Sequence, residues 1–550
     1  MADHRNHLGV YLSLNVLTPP VVHTKQGSLR GQYLSVKGKE IGVHAFLGVP
    51  FAEPPVGPLR LAPPRPSEGW EGVRDATQQP HMCTQYKQLL VDLMDAFGLT
   101  VAMPDISEDC LYLNIYKPAK ASKDAKLPVM VWIHGGGLTS GAASLYDGSA
   151  LAAYQDAVVV LLQYRLGPLG FLSTGDEHIP GNLGLLDQVE ALRWVQKHSH
   201  NFGGDQDSVT IFGESAGGTS VSILLLSPLS VGLFHKAIAE SGTAAMDLLY
   251  TKDPLPMAQM AANKSGCGIT STKEIADCMR QLDNDAVLTL VQDPTLRFQV
   301  SADGQLLKKP VDELLKNHEI LNIPFITGVN NDEGGWLLPS FFAPPNWTEG
   351  MDRNDAMTSL AIFFPDPKDE DVKEVVADVY LGTSGDRVEV RNGFTELIGD
   401  IMFTIPAIRI ANIHRDAGAA MFLYEYQHSV KFLQEKRPSF VKSDHGDELL
   451  AVLGFCFTTN HVKITGLCTE EEEHHSRIVM SYWGNFARTG SPNGAGLVHW
   501  PQYGAEEDYL SIGLKQVPGQ HLKKDRFIFL TQTIPEMIRQ RQQKKKHNEL

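Results

Sequence analysis

The stretch that decides the fold is Ser208–Val209–Thr210–Ile211–Phe212–Gly213–Glu214–Ser215–Ala216–Gly217–Gly218–Thr219–Ser220–Val221–Ser222–Ile223–Leu224–Leu225. Residues 208–212 are rich in β-branched and aromatic side chains and read as a buried strand. Gly213–Glu214–Ser215–Ala216–Gly217 follows at once and fits Gly-x-Ser-x-Gly. Gly218–Leu225 then reads as a helix start. The order strand, tight turn, helix is the context this motif requires. A serine on such a turn has little room, so the flanking glycines avoid side-chain clashes. The helix that follows points its free N–H groups toward the serine, where negative charge can be stabilised.

Working outward, Pro128–Val129–Met130–Val131–Trp132–Ile133 is a second strand and runs into His134–Gly135–Gly136–Gly137. Consecutive glycines leave backbone N–H groups bare and close to whatever lies beside them. Ala157–Tyr164 is a third strand, and Leu185–Val195 carries apolar residues at helical spacing. Phe325–Val329 and Met421–Tyr426 are further strands; Tyr482–Gly490 and Arg526–Arg541 look helical. Strands alternating with helices predict an α/β fold, a large mostly parallel central sheet with helices on both faces. The Pro-rich segment 40–65 interleaves Phe46, Leu47, Phe51 and Leu59, so it reads as ordered extended chain rather than linker. The expected organisation is a poorly defined segment 1–18, one domain over 19–541, and a basic tail 542–550.

The composition of the 550 residues narrows the functions. Hydrophobic residues make up 43% and charged residues 20%, the balance of a packed chain. With 48 Lys+Arg against 64 Asp+Glu, the net charge is −16, which argues against nucleic-acid binding. No apolar run approaches the ~18 residues a membrane helix needs. The stretch Leu8–Leu17 is broken by Ser13 and Asn15 and makes a poor signal peptide. The chain ends His547–Asn548–Glu549–Leu550, close to the lumenal retrieval signal His-Asp-Glu-Leu, which a receptor reads inside the secretory pathway. That end predicts the endoplasmic reticulum lumen, with secretion as the alternative. None of the six cysteines forms a Cys-x-x-Cys pair, so no structural zinc site is expected. Sequons at Asn263 and Asn346 would accept glycans in the lumen.

A serine nucleophile needs a base, and the base needs an orienting acid. The order serine, acid, histidine expected for this fold places both downstream of Ser215. Of 20 histidines, His445 stands out in Ser443–Asp444–His445–Gly446–Asp447–Glu448, a polar loop ahead of an apolar run. His428, His461, His474, His475 and His499 are its rivals. Glu333 follows the strand Phe325–Val329, with Asp332 as the adjacent rival. Spacing alone leaves both choices open.

The chain resembles the type-B carboxylesterase/cholinesterase family of α/β-hydrolases, and within it the vertebrate lumenal carboxylesterases. The resemblance runs from about Pro19 to the C-terminus. It is carried by Phe46–Ala52, Ser107–Asn114, Trp132–Gly137, Gly213–Gly218, Gly328–Glu333 and Asp444–Glu448. It implies Ser215 as nucleophile, Glu333 as acid and His445 as base, with Gly136, Gly137 and Ala216 supplying oxyanion N–H groups. It implies disulfides Cys83–Cys110 and Cys267–Cys278, while Cys456 and Cys468 fall outside the usual pairs. Glu214 and Asp109 read as structural carboxylates. Gly334 stands where the family commonly has a bulkier residue.

The implied reaction is hydrolysis of small-molecule or lipid carboxylic esters through an acyl-enzyme, with no metal or organic cofactor. Thr84–Asp109 holds no tryptophan, so the choline seat of cholinesterases is not visible. Neuroligin-like adhesion modules lose the nucleophile, which is present here. A lipase would use the same triad. Apart from ester substrates and a retrieval receptor, the sequence names no partner and leaves homo-oligomerisation open.

Overall fold

The computed structural model describes residues 19–364 and 370–548. The segment 1–18 and the terminal Glu549–Leu550 of the retrieval-like signal lie outside the described residues. Among those described, eleven strands form one sheet: β1 (Gln32–Leu34), β2 (Val43–Pro50), β3 (Tyr112–Pro118), β4 (Leu127–Ile133), β5 (Val158–Leu162), β6 (Gly204–Glu214), β7 (Lys236–Glu240), β8 (Phe325–Asn330), β9 (Met421–Tyr426), β10 (Asp508–Ile512) and β11 (Gln516–Gln520). Their spatial order is β11-β10-β9-β8-β7-β6-β4-β5-β3-β2-β1. The run from β10 to β5 is parallel throughout. The pairs β5–β3, β3–β2, β2–β1 and β10–β11 are antiparallel. This is an α/β-hydrolase sheet, as the sequence predicts.

The alternation of side chains across each strand builds two cores, one on either face. Val129, Val131 and Ile133 of β4 enter one core, together with Val158, Val160, Val209 and Ile211. Met130 and Trp132 of the same strand enter the other, with Val159, Leu161, Phe212 and Ile238. Burial on both faces explains why these strands read as unbroken apolar runs. β7 is buried at all five residues too, but its sequence Lys-Ala-Ile-Ala-Glu has charged ends and only one β-branched residue, so it carries no strand signal.

Six helices matter for the site: α1 (Lys87–Ala96), α2 (Leu183–His198), α3 (Ala216–Leu224), α4 (Arg387–Gly399), α5 (Ile405–Asp416) and α6 (Glu470–Thr489). The predicted Leu185–Val195 lies inside α2. The predicted Tyr482–Gly490 is only the last part of α6, which starts at Glu470. Its N-terminus is a capping box between Thr469 and Glu472, and four glutamates in the first turn favour the positive end of the helix dipole. That polar first turn hides the apolar periodicity. The predicted Arg526–Arg541 is helical but interrupted by a π-turn at Phe529–Thr533 just ahead of Pro535, which has no N–H to donate. The Pro-rich segment 40–65 is ordered, and β2 lies within it.

All six cysteines are paired: Cys83–Cys110, Cys267–Cys278 and Cys456–Cys468. The third pair is one the resemblance did not imply. No helix among the described residues is long and apolar enough to cross a membrane.

Candidate active site

Four adjacent parallel strands, β4, β6, β7 and β8, end at one edge of the sheet, the usual place for a site in such sheets. Ser215 sits on the turn between β6 and α3 with φ 56 and ψ −124, a strained conformation for any residue but glycine. The turn closes because Gly217 carries no side chain: a Cβ there would lie 2.0 Å from the Ile133 carbonyl oxygen. Ser215 is only partly buried while its neighbours are fully buried, so its hydroxyl faces a cavity.

Across that cavity lies the turn after β4. Gly136 has φ 101, and a Cβ there would lie 2.2 Å from the Ser140 carbonyl oxygen. The Gly136 carbonyl accepts from Thr139 N at 3.1 Å and Ser140 N at 3.0 Å. Among the described residues, the N–H groups of Gly136 and Gly137 donate to no protein acceptor. Ala216 is the first residue of α3, so its N–H has no intrahelical acceptor. His134 holds the turn in place. Its ring stacks on Tyr164 at 4.4 Å, and the Tyr164 hydroxyl donates to the His134 carbonyl at 2.8 Å. Burial lowers the pKa of His134 to about 4, so it is neutral and structural.

The other half of the site comes from two loops far apart in sequence. Glu333 follows β8, and His445 lies beyond β9. His445 Nδ1 is 2.7 Å from Glu333 Oε2. Glu333 Oε1 accepts from Asn330 N at 2.7 Å and Ser241 Oγ at 2.5 Å. Phe403 stacks on the imidazole at 4.4 Å. Asn330 donates through Nδ2 to the Asp444 carbonyl and to Glu448 Oε2, both at 2.6 Å. Asp332 N donates to Ser443 O at 3.0 Å, and Lys442 N donates to Asp332 Oδ2 at 2.9 Å. Asp444 accepts from Leu337 N at 2.9 Å, and Arg437 donates to both oxygens of Asp447 at 2.8 Å. Asp332, the rival acid, is therefore occupied in stitching the two loops together. Gly334 belongs to the same fit, because a Cβ there would lie 2.2 Å from the Thr395 carbonyl of α4.

The rival histidines are placed elsewhere. His428 lies 3.5 Å from Glu472, His461 bonds the Tyr146 carbonyl at 3.0 Å, and His475 meets the Tyr426 hydroxyl at 3.2 Å. His474 and His499 are exposed.

Sequence reasoning missed what Glu214 touches. The side chain is buried, as expected of a structural carboxylate, but its Oε1 lies 3.1 Å from His445 Nε2. No hydrogen bond within 3.5 Å joins Ser215 Oγ to that nitrogen in this structure. Burial raises the Glu214 pKa, the positive His445 opposes the rise, and the negative Glu333 adds to it. Burial alone would lower the His445 pKa, but Glu214 and Glu333 outweigh it and raise it. Ser241 and Phe403 were also missed; neither carries a local signal, since each reaches the site from a distant segment.

The cavity above Ser215 has a volume of about 490 Å³. Leu90, Leu93 and Met94 of α1 form one wall, Leu248 and Phe298 a second, and Leu338, Phe341, Phe363, Met402 and Phe403 a third. A mainly apolar cleft with a few convergent polar groups suits a small organic ligand.

Sheet, elbow and glycine turn together define an α/β-hydrolase with a serine at its elbow. The chain belongs to the carboxylesterase family, whose family model matches residues 18–530. It is 46% identical over 538 residues to "Fatty acyl-CoA hydrolase precursor, medium chain" of Anas platyrhynchos, covering 96% of this chain and 95% of that one. It is 44% identical over 551 residues to "Liver carboxylesterase" of Sus scrofa, covering 97% and 96%. It is 45% identical over 540 residues to "Cocaine esterase" of Oryctolagus cuniculus, covering 96% and 99%. Family membership makes it a carboxylic ester hydrolase.

Proposed function

We propose that Ser215, His445 and Glu333 are the catalytic triad of this esterase, and that Gly136, Gly137 and Ala216 form its oxyanion hole. The observation that carries the reading is the 2.7 Å contact of His445 Nδ1 with Glu333, on a histidine beside the strained Ser215 turn. Glu333 holds the imidazole through Nδ1 and leaves Nε2, which rests 3.1 Å from Glu214 Oε1 in this structure, to act on the nucleophile. His445 Nε2 takes the Ser215 proton as Oγ attacks the ester carbonyl. The oxyanion receives the three N–H groups, the alcohol leaves with the proton, and an acyl-serine remains. Water repeats the sequence and releases the acid. Each oxyanion donor contributes roughly 3–4 kcal/mol to transition-state stabilisation.

The substrates are small-molecule or lipid esters with apolar bodies, which the walls of the cavity favour. The likeness to an acyl-CoA hydrolase adds acyl thioesters to the range. The lumen of the endoplasmic reticulum is the proposed location. Its supports are three disulfides of the kind oxidising compartments permit and exposed sequons at Asn263 and Asn346. The test is hydrolysis of a short-chain p-nitrophenyl ester by the purified protein beside Ser215→Ala. Turnover by the wild type and none by the variant is expected. A folded, inert wild type would overturn the reading.

A further inference from the structure

The cavity wall formed by Leu296–Gln299 is held firmly. Leu296, Phe298 and Val300 are buried. Val300 N donates to Leu249 O at 2.8 Å, and Thr251 N donates to Val300 O at 2.9 Å. Gln299 Nε2 donates to Leu248 O at 2.8 Å and Tyr250 O at 2.9 Å. Arg297 N donates to Met257 Sδ at 3.4 Å. The backbone of Arg297 is therefore fixed on a braced strip rather than on a free loop.

Arg297 lines the cavity yet is exposed, which places it at the mouth. It is the one lysine or arginine among the described residues that line this cavity. No ion pair joins it to any carboxylate among the described residues. The other ionisable side chains there that matter at neutral pH, Glu214 and His445, lie at the floor beside Ser215. A chain with net charge −16 has an excess of acidic partners, so an arginine left without one at a cavity mouth is open to an incoming anion. Its guanidinium presents a planar fork of donors that matches a carboxylate or phosphate.

We infer that Arg297 selects esters that carry an anionic group, a carboxylate or a phosphate, on the arm that reaches the cavity mouth. The apolar walls take the uncharged remainder of the substrate. The inference rests on the ester-hydrolase reading and goes beyond it by naming a substrate class and the residue that recognises it. The anion can sit on the alcohol arm or on the acyl arm; the chemistry at Arg297 is the same.

Two matched pairs of substrates test it. The first is para-carboxyphenyl hexanoate against para-carbamoylphenyl hexanoate, with the charge on the alcohol arm. The second is phenyl hydrogen adipate against the phenyl ester of adipamic acid, with the charge on the acyl arm. Steady-state kinetics are measured for wild type, Arg297→Gln and Arg297→Lys. In at least one pair, Arg297→Gln should raise KM for the anionic ester by about three- to fivefold, the scale of a partly exposed ion pair. Its kcat should hold, and the neutral partner should be unaffected. Arg297→Lys should restore part of the difference. Salt at roughly 0.5 M should shrink the wild-type preference, since screening then acts within a few ångströms. The pair that responds identifies the arm. Equal changes for anionic and neutral esters, or no change in either pair, overturn the inference while leaving the esterase intact. A folded wild type inert toward all four esters overturns the hydrolase reading itself and the inference with it.

Discussion

The two halves of the site are built in opposite ways. The half that holds Ser215 is local: β6, the tight turn at Ser215 and α3 are continuous in the chain, and the glycine turn after the neighbouring β4 packs directly against them. The half that holds Glu333 and His445 is assembled from loops 112 residues apart, joined by Asn330, Asp332 and Asp444, with the His445 loop itself braced by the buried Arg437–Asp447 pair. A local turn is fixed by which residues can adopt its backbone. A stitched pair of loops is fixed by buried polar contacts that must all be made at once. Damage should therefore separate: the elbow can lose its chemistry without losing the fold, whereas the loop pair should lose both together.

The largest effect should come from Ser215→Ala, with kcat falling by about a millionfold, as for removal of other triad serines. Its thermal midpoint should match the wild type, because Ser215 Oγ makes no hydrogen bond among the described residues. A large drop in midpoint would break the contrast. Glu333→Gln should come next, lowering kcat by about 10⁴-fold through the wrong imidazole tautomer. Retention of most activity would point to another acid.

Arg437→Leu tests the stitched half away from the reacting atoms. It leaves Asp447 buried without its cation, which typically costs about 3–5 kcal/mol. Denaturant unfolding should show that loss, and activity should fall with it. Activity that survives at full strength in the destabilised protein would show that the loop pair does not need its brace.

The smallest effect sharpens the border between the halves, where Glu214 of the elbow meets His445 of the loop pair. A negative Glu214 raises the His445 pKa, and the base works only when neutral. Glu214→Gln removes that charge, so the histidine should lose its proton at lower pH. The acidic limb of kcat/KM should shift down by about one pH unit. An unmoved limb would mean that His445 does not feel Glu214.

The same contrast explains what could be read from the sequence. The elbow and the glycine turn were legible because their residue types and their order along the chain are the geometry. Apart from β7, the central parallel strands from β5 to β9 were legible as apolar runs because both faces are buried. The antiparallel strands β2 and β3 were not, since β2 lies in a Pro-rich segment and pairs with β3 across a register shift between Phe46 and Val49. The acid and base were ambiguous by spacing, and resemblance had to choose among neighbours. In the structure the losers have other partners: Asp332 accepts from Lys442 N, and His475 meets Tyr426. Those partners lie far away in sequence, as do Ser241 and Phe403, so no local pattern announces them.

The most direct measurement is mass-spectrometric mapping of the protein after reaction with diethyl p-nitrophenyl phosphate, an ester whose phosphoryl group stays on an activated serine. The account predicts one diethylphosphoryl group per chain, on the peptide containing Ser215, and none on Ser215→Ala or after His445→Ala removes the base. A label on another residue, or an unlabelled protein that still hydrolyses esters, would contradict the assignment of Ser215 as the nucleophile.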